Sequence, residues 1–396
     1  MKSINQLHLG DNLSVLRNHV ASNSVDLIYL DPPFASNADY NYISTTDDTR
    51  PSSSVVAFVD TWQWGAEAEL ALHETKITHQ VLGNLLEVMT NGLKCNGLAA
   101  YLAMMAIRLL ELKRVLKPAG SLYLHCDTSA SSYLKIILDI IFGTENFRNE
   151  IVWKRTSSHN DSKKWAHIHD TILFYAGKGF TWNPVYLASD PEYVKNFYRF
   201  EDNRGRYRLH EIIRTASMGP RPNLAYEYKG YRPEWGWRMV LEKVQALDQD
   251  DRLTWSGTGR PYLKRYLHEQ KGTPCSSLWT DIPPLSHIAS ERMGYPTQKP
   301  LALLERIIKA SSNENDVVLD PFAGCGTSTH AAEKLVRRWI GIDVSELAVT
   351  LMQQRLKASF SDVAYTLNKI ESTSKSVEVA IKAKRVKTQK TIVFAD

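Results

Sequence analysis

The residues at positions 31–34, Asp31-Pro32-Pro33-Phe34, form a rigid acidic turn directly after the apolar run VDLIYL. Two consecutive prolines fix the backbone and remove two N–H donors, so the turn presents carbonyl oxygens and one carboxylate, all of which are acceptors. Such a turn can hold an exocyclic amine through both of its N–H groups while the ring that carries the amine stacks on Phe34. The hydrogen bonds draw the nitrogen lone pair out of ring conjugation, which makes the amine a nucleophile. The structural alternative is a stiff turn with an acidic cap and no further role.

A second candidate site lies near the C-terminus, where the run VVLD leads into PFAGCGTST at residues 321–329. Gly324 and Gly326 allow the backbone to approach a ligand closely, and the helix that follows them offers unpaired N–H groups. Asp343 ends the next apolar run, WIGID, where an acid can bind the hydroxyls of a ribose. Thr329 stands where the dinucleotide fingerprint needs its third glycine, and the Gly-Lys-Ser/Thr of a P-loop is missing. The pattern therefore favours a nucleoside cofactor without a pyrophosphate over NAD.

Alternating strands and helices must position these two sites. Apolar runs predict buried strands at residues 25–30, 121–127, 317–319 and 339–342. Helical periodicity predicts helices at residues 104–117, 131–142, 301–310 and 327–337, with a break at the Pro-Ala-Gly of residues 118–120. Strands that alternate with helices predict an α/β fold with a doubly wound, mostly parallel sheet. Both candidate sites follow strands, which is where such folds place their chemistry.

Residues 151–290 interrupt this alternation and differ in composition. They hold 21 Lys and Arg against 15 Asp and Glu, together with seven of the ten Trp and ten of the eighteen Tyr. Basic residues interleaved with aromatic ones can contact the phosphates and bases of a nucleic acid. A solvated surface over an aromatic core would have the same composition.

The composition of the whole chain excludes several classes of protein. With 396 residues, of which 43% are hydrophobic, the chain can form two domains with a large core. The cysteines, Cys95, Cys126, Cys275 and Cys325, have no C-x-x-C spacing, so neither a zinc ribbon nor a disulfide framework is expected, and no metal is predicted. No apolar run approaches the roughly 20 residues of a membrane span, and the N-terminus lacks the apolar region of a secretory signal. We therefore expect a cytoplasmic protein without a membrane partner.

These motifs, in this order, resemble the amino-methylating DNA methyltransferases that use S-adenosylmethionine. Residues 31–34 match the family's (D/N/S)-P-P-(Y/F) catalytic motif, and residues 322–326 resemble its F-x-G-x-G cofactor motif. Residues 295–300, YPTQKP, match the (H/Y)-P-T-Q-K-P signature that precedes the cofactor motif. A catalytic motif that comes first, with the cofactor motif after a recognition segment, is the mark of the family's beta group. Tyr295 and Phe34 replace the commoner His and Tyr, and Phe keeps the stacking face.

The resemblance, which covers about 1–155 and 293–360, implies the organisation of the chain. A catalytic half at 1–155 and a cofactor-binding half at 293–365 would form one Rossmann-like methyltransferase domain of permuted order. An inserted target-recognition domain would occupy 156–292, and 366–396 would be a basic C-terminal extension.

The resemblance also implies roles for individual residues. Asp31 and the carbonyl of Pro32 would accept the target amino group, with Pro33 in the same rigid turn, and Phe34 would stack on the flipped base. The residues implied for the S-adenosylmethionine site are Asp11, Thr297, Gln298, Lys299, Asp320, Phe322, Ala323, Gly324, Gly326 and Asp343. Lys299 would pair with the cofactor carboxylate and Asp343 with the ribose hydroxyls, and the product would be S-adenosylhomocysteine. Asp11 can equally be the N-cap of a helix over NLSVL.

Double-stranded DNA is the partner that the resemblance implies. The candidate DNA-binding residues are Arg204, Arg206, Arg208, Arg214 and Arg221, each of which can contact either bases or phosphates. Dimers are common in the beta group, so a homodimer is one expectation. The chain would act with a cognate restriction endonuclease in a restriction-modification system, or alone as an orphan methylase.

The target base stays open between two exocyclic amines. Within the family, Asp at the first motif position leans towards N6 of adenine and Ser towards N4 of cytosine, so we predict adenine and retain N4-cytosine as the alternative. A catalytically inactive DNA-binding module is the alternative of another class, and methylation of RNA or protein is a third. Pro274-Cys275 resembles the nucleophile motif of C5-cytosine methylases but lies far from any strand beside the cofactor motif. His167, His169 and Asp170 are interpreted as recognition-segment surface rather than as metal ligands.

Overall fold

The computed structural model describes residues 5–34, 39–42, 55–157, 163, 165–286 and 288–370. Its helices are α1 (Asn12–His19), α2 (Ala66–Thr78), α3 (Gln80–Gly92), α4 (Gly97–Val115), α5 (Ser131–Phe142), α6 (Pro191–Phe197), α7 (Leu241–Gln249), α8 (Leu301–Ser311), α9 (Thr327–Lys334) and α10 (Glu346–Ser359). Its strands are β1 (Asn5–Leu9), β2 (Val25–Leu30), β3 (Asp39–Tyr42), β4 (Val55–Val59), β5 (Leu116–Cys126), β6 (Phe147–Lys154), β7 (His169–Ala176), β8 (Tyr186–Leu187), β9 (Phe200–Asp202), β10 (Gly205–Glu211), β11 (Leu253–Trp255), β12 (Pro261–Tyr266), β13 (Thr273–Pro274), β14 (Leu278–Trp279), β15 (Val317–Asp320), β16 (Arg338–Asp343) and β17 (Tyr365–Lys369).

The chain divides into two compact units. The first unit comprises Met1–Pro184 and Ser276–Asp396, and the second comprises Val185–Cys275. The second unit is shorter at both ends than the predicted insert, 156–292. The difference arises because β7 pairs with β5 and β6, and β14 pairs with β6, so that these strands belong to the large sheet of the first unit.

A nine-stranded sheet with the order β14-β6-β7-β5-β2-β15-β16-β1-β17 forms the centre of the first unit. Pairing is parallel throughout except at β7, which is antiparallel to both of its neighbours. Helices α1, α3, α4 and α5 pack one face in a single core cluster. Helix α8 lies on the other face, where the Tyr123 hydroxyl is 2.6 Å from the Ser311 hydroxyl. This architecture confirms the predicted doubly wound, Rossmann-like α/β fold.

The four strands and four helices predicted from the sequence are all present in the structure. β2 and α5 have the predicted bounds, and α8 and β15 are each one residue longer. Helix α4 begins at Gly97 rather than at residue 104, because its first turn is also apolar and buried. Helix α9 ends at Lys334 rather than at residue 337, since Val336 has a positive φ of 61° that no α-helix accommodates.

Two other elements differ in their bounds. β5 begins at Leu116 rather than after Gly120, because its pairing with β2 shifts register at Val25 and carries the strand past the exposed Pro118. Strand β17 pairs in parallel with β1 and occupies the first residues of the predicted extension. The segment TIVFAD at 391–396, which could add an edge strand, lies outside the described residues.

The sheet order brings the two candidate sites together. β2, β15, β16 and β1 are consecutive parallel neighbours, so their carboxyl ends meet at one edge of the sheet. The chain leaves β2 towards the face of α4, whereas it leaves β15 towards α9, which packs on α8 of the opposite face. Adjacent strands whose connections go to opposite faces form a crevice, which is the ligand site of open α/β sheets.

The second unit is built on a four-stranded antiparallel sheet with the order β11-β12-β10-β9. Its core cluster contains the buried Ile212, Trp237, Val244 and Leu253, and the Trp237 ring stacks on Tyr226 at 5.4 Å. Across the described parts of both units, no helix has the length and apolar character needed to cross a membrane.

Candidate active site

A cavity of about 870 Å³ opens at the carboxyl ends of β1, β2, β15 and β16. Its volume lies within the roughly 300–1,000 Å³ of small-molecule sites. The cavity is lined by the whole acidic turn (Asp31, Pro32, Pro33, Phe34) and by nine of the ten predicted cofactor residues (Asp11, Thr297, Gln298, Lys299, Asp320, Phe322, Ala323, Gly324, Asp343). Two motifs far apart in sequence therefore share one site.

Asp31 has one occupied and one unoccupied carboxylate oxygen. Lys299 donates from Nζ to Oδ2 at 2.6 Å, and the lysine also lies 5.2 Å from the centre of the Phe34 ring. Oδ1 is buried, and no described residue donates a hydrogen bond to it. A buried acceptor without a donor is unfavourable, so this oxygen is suited to a donor that a ligand supplies. Lys299 was predicted to pair with a cofactor carboxylate, whereas the structure pairs it with Asp31.

A buried polar network supports the ring and the backbone of Phe34. Its ring stacks on His125 with centroids 5.8 Å apart and planes at 29°, and its backbone N–H donates to Asp60 Oδ2 at 3.2 Å. His125 Nδ1 lies 2.9 Å from the Tyr29 hydroxyl, and Nε2 lies 3.1 Å from Asp170 Oδ2. His125 and Asp170 are 0% and 1% exposed, so the network is sealed from water. The turn is therefore fixed at both its backbone and its aromatic ring.

The charge of Asp170 sets the hydrogen-bond directions in this network. Burial alone would raise its pKa, but the bond from His125 and the positive charges of Lys299 and Arg155 hold that pKa below its usual range. An ionised Asp170 can only accept, so the Nε2–H of His125 donates to it.

Sequence analysis missed this network. Asp170 was interpreted as recognition-segment surface, but it lies on β7 inside the first unit, because β7 pairs next to β5. The available signal was a histidine within the apolar run SLYLHCD, since buried polar groups are normally paired.

In the described residues, no group of three or more His, Cys, Asp and Glu is arranged to hold a metal ion.

Two carboxylates hold the Gly-rich loop in shape. Asp343 Oδ2 accepts from Gly324 N at 2.8 Å, and Oδ1 accepts from Ser345 N at 2.9 Å. Asp320 Oδ1 accepts from Phe322 N at 3.0 Å, while Oδ2 accepts a bond from the Ser328 hydroxyl. Carboxylate oxygens have two lone pairs each, so Asp343 can still accept from ribose hydroxyls.

Of the carboxylates that line the cavity, Asp31 and Asp343 repel the negative charge of Asp320. Burial, together with the charges of Asp31 and Asp343, raises the pKa of Asp320 to about 7, against the hydrogen bonds that favour its ionised form. Burial also raises the pKa of Asp343, although backbone N–H groups oppose the shift. A cationic ligand relieves this repulsion, so the electrostatics of the cavity favour positive charge.

The two glycines of the loop have different roles. Gly324 has a φ of +50° and lines the cavity, and a Cβ there would lie 3.3 Å from the Tyr295 ring. Gly326 has a φ of +77°, and a Cβ there would lie 2.3 Å from Met352 Cγ of α10. Gly326 was predicted as a cofactor residue, but it is absent from the cavity lining, because it faces the packed helix.

The other predicted cofactor residues mainly shape the cavity wall. Asp11 is the N-cap of α1, accepting from Ser14 N at 3.0 Å, and its other oxygen accepts from Arg108 at 2.6 Å. The N-cap alternative for Asp11 is therefore confirmed, whereas its role near the cofactor stays a prediction for a residue that lines the cavity. The Gln298 amide accepts from Met293 N at 2.8 Å and donates to a backbone carbonyl at 2.7 Å, so it holds the loop.

The five candidate DNA-binding arginines all belong to the second unit and none lines the cavity. Arg204 pairs with Asp250, while Arg206 and Arg214 donate to backbone carbonyls. The guanidinium groups of Arg208 and Arg221 make no hydrogen bond or ion pair with any described residue.

We predict that Asp320→Asn stabilises the empty protein more at pH 8.5 than at pH 5. Asp320 stays neutral in the folded protein up to its pKa of about 7, whereas in the unfolded chain it ionises above its usual pKa of 3.8. The wild-type protein therefore loses stability progressively as the pH rises from about 4 to about 7, and Asn, which does not ionise, avoids this loss. The expected gain in Tm at pH 8.5 is about 2–4 °C, the shift that ~1 kcal/mol produces in larger domains.

Thermal unfolding at the two pH values checks this prediction. Asp362→Asn, at an exposed position, is the matched control and should shift Tm at neither pH. An equal change in Tm for Asp320→Asn at both pH values would contradict the raised pKa of Asp320 on which the prediction rests.

Comparisons with known proteins agree with this geometry. A family model described as DNA methylase matches residues 25–354. The Type II methyltransferase M.EcaI of Enterobacter cloacae is 36% identical over 287 residues, which cover 69% of this chain and 62% of the relative. The Mod subunit of the Type III restriction-modification enzyme StyLTI of Salmonella typhimurium is 29% identical over 354 residues, which cover 82% of this chain and 49% of the relative. The chain thus spans less than two thirds of the length of these two relatives.

The structure was also compared with solved structures. One match is the DNA modification methylase TTHA0409 of Thermus thermophilus, complexed with S-adenosyl-L-methionine. It has 16% sequence identity and a TM-score of 0.44, and the match covers 92% of this chain and 99% of that one. The family match spans both motifs of the cavity and most of the chain, and S-adenosylmethionine is the cofactor of this family. The resemblance deduced from the motifs is thereby confirmed, and the chain belongs to the DNA methylase family.

Proposed function

We propose that this protein is a site-specific DNA methyltransferase that transfers a methyl group from S-adenosylmethionine to N6 of a flipped-out adenine in double-stranded DNA. The observation that carries the proposal is the unoccupied Oδ1 of Asp31, buried in an acceptor-only turn beside Phe34. An exocyclic amine supplies the donors that this oxygen and the Pro32 carbonyl lack, and its ring supplies a face for Phe34.

The cavity fits the proposed cofactor. S-adenosylmethionine carries a sulfonium and an ammonium group, and the three carboxylates Asp31, Asp320 and Asp343 favour such positive charge. Asp343 is the last residue of β16 and keeps lone pairs that can accept from ribose hydroxyls. Gly324 has no side chain to occupy the cavity beside it.

The reaction needs the target base outside the duplex, because the amino nitrogen cannot reach the cavity while stacked. Flipping costs roughly a few kcal/mol. S-adenosylmethionine, when bound, supplies a methyl group on a positively charged sulfur. Asp31 Oδ1 and the Pro32 carbonyl would each accept a hydrogen bond from the target amino group. Phe34 would stack on the base and hold the plane of its ring. The nitrogen lone pair then forms the new C–N bond as the C–S bond breaks, and the surplus proton can leave through Asp31.

Lys299 and His125 would act on the turn rather than on the substrate. The Lys299 ammonium occupies Oδ2 of Asp31, which leaves Oδ1 as the carboxylate oxygen without a described donor. The His125 ring stacks on Phe34 and would hold its plane for stacking on a base. Positioning of this kind accounts for much of the catalysis in reactions without a covalent enzyme intermediate.

Asp at the first position of the catalytic motif supports adenine as the target. N4 of cytosine is the alternative, because it is also an exocyclic amine with two N–H groups. A cognate restriction endonuclease is the proposed partner, in line with relatives that belong to restriction-modification enzymes.

We predict that the protein transfers label from methyl-labelled S-adenosylmethionine to unmethylated bacterial DNA. The DNA is digested to nucleosides, which are separated and identified by mass. Label in N6-methyldeoxyadenosine is the expected result. Label in N4-methyldeoxycytidine would retain the mechanism and replace the base, whereas an unlabelled digest from a protein that binds the cofactor would reject the proposed activity.

Asp31→Ala is expected to lower kcat at least a hundredfold, because the amino group loses its carboxylate acceptor, while cofactor affinity stays within a few-fold. Transfer rates and cofactor binding by calorimetry measure the two effects. Asp362→Asn, at an exposed position, is the control and should retain full turnover. Turnover near the wild-type rate in Asp31→Ala would refute the role of the turn.

His125→Gln is expected to lower kcat about 10- to 100-fold with little change in cofactor affinity. Gln can still bond Tyr29 and Asp170, but it removes the ring that supports Phe34, and a displacement of about 1 Å has an effect of this size. Tyr123→Phe is the matched control, because it removes a buried bond from the same strand on the α8 side. Equal losses in both variants would assign the effect to general destabilisation.

A further inference from the structure

The four-stranded sheet of the second unit has one face on which the charges are neutralised. Lys264 on β12 lies 3.1 Å from Asp202 and 3.0 Å from Asp251, and the Tyr266 hydroxyl donates to Asp202 at 2.8 Å. The Lys264 ammonium also lies 5.5 Å from the centre of the Tyr207 ring. The cation on this face is therefore fully engaged within the protein.

The opposite face carries like charges side by side. Arg208 on β10 is directly opposite Arg265 on β12, and residues opposite each other in antiparallel strands point to the same face. Like charges in this arrangement are destabilising. Neither guanidinium forms an ion pair with any acid in the described part of the chain, and Arg208 Nε is buried without a hydrogen-bond partner.

A third arginine, Arg238, adds its positive charge near His210. His210 lies two residues after Arg208, on the same face of β10. Burial lowers the pKa of His210, and the positive charges of Arg265, Arg208 and Arg238 lower it further, against a smaller opposing effect of Glu211. Arg238 donates only through Nε, to the Ile213 carbonyl at 3.0 Å, so its terminal nitrogens are free of described partners.

Other arginines in the second unit are engaged by the protein itself. Arg204 pairs with Asp250, Arg252 with Glu269, and Arg260 with Glu211. The unit is not short of acids, with 12 Asp and Glu against 16 Lys and Arg over residues 185–275. Arg208 and Arg265 therefore form a local pair of cations without an acidic partner among the described residues on this face, and the charge of Arg238 acts on the same His210. This arrangement fits a polyanion that comes from outside the unit.

We propose that Arg208, Arg238 and Arg265, here called the arginine cluster, bind consecutive phosphates of the DNA backbone. The proposal rests on the proposed function, which makes DNA the substrate. The guanidinium group suits phosphate, because its planar set of donors matches two oxygens at once. Of the five arginines predicted from the sequence, the cluster keeps Arg208, and it adds two that the sequence did not single out.

The test is the salt dependence of DNA binding by the full chain. A fluorescein-labelled duplex of mixed sequence, about three helical turns long, is titrated with protein at several salt concentrations, and binding is followed by fluorescence anisotropy. Arg208→Gln and Arg265→Gln are compared with Arg260→Gln, which removes an arginine of the same unit that is already paired with Glu211. Each cluster variant should weaken binding about threefold to tenfold near ~100 mM salt and reduce the slope of log K against log salt by about 0.9.

Folding is checked separately in each variant. Removing one of two opposed like charges should leave the thermal midpoint equal to or above that of the wild type, so loss of binding cannot be attributed to unfolding. Since Arg208 and Arg265 come from different strands, each variant tests the cluster independently of the other.

The outcomes separate this inference from the proposed function. Unchanged slopes in both cluster variants, or an equal fall in Arg260→Gln, would overturn the proposed role of the arginine cluster even if the wild type methylates DNA. Reduced slopes in the cluster variants alone would support it even if the wild type transfers no methyl group.

Discussion

The parallel pairing of β2 with β15 is the constraint on which the site depends. It places the acidic turn after β2 beside the Gly-rich loop after β15, although 289 residues separate Asp31 from Asp320. The two connections leave towards opposite faces of the sheet, so the crevice between them opens as the cavity. A permuted order of motifs along the chain is compatible with this site, because only the order of strands in the sheet determines which carboxyl ends meet.

The cavity combines unfavourable electrostatics with a rigid frame. Burial raises the pKa values of Asp320 and Asp343, and the negative charges of Asp31 and Asp343 raise that of Asp320 further. Such a site stores free energy that a cationic ligand releases on binding. The rigid frame comes from groups that do not face the ligand, above all Asp60 at the backbone of Phe34 and His125 at its ring.

The four-stranded sheet of the second unit carries neutralised charges on one face and, within the described residues, unpaired positive charges on the other. On one face of its sheet Lys264 is neutralised by Asp202 and Asp251, whereas on the other the arginine cluster has no acidic partner among the described residues. Surface charges that pair internally contribute little to binding an external partner. The alternation of side chains along β10 and β12 produces this division, since neighbouring residues point to opposite faces.

Sequence alone determined the fold class, the motifs and the approximate places of four strands and four helices. The bounds of β2, α5 and α8 were predicted to within one residue, because apolar periodicity and proline or glycine breaks are local properties. The tertiary structure alone decided which side chains meet. Lys299 pairs with Asp31, His125 joins Asp170, and Arg208 faces Arg265, and each pair joins segments whose separation in the chain carries no information about distance in space. Strand order and register determine these contacts, and neither is a property of a local sequence pattern.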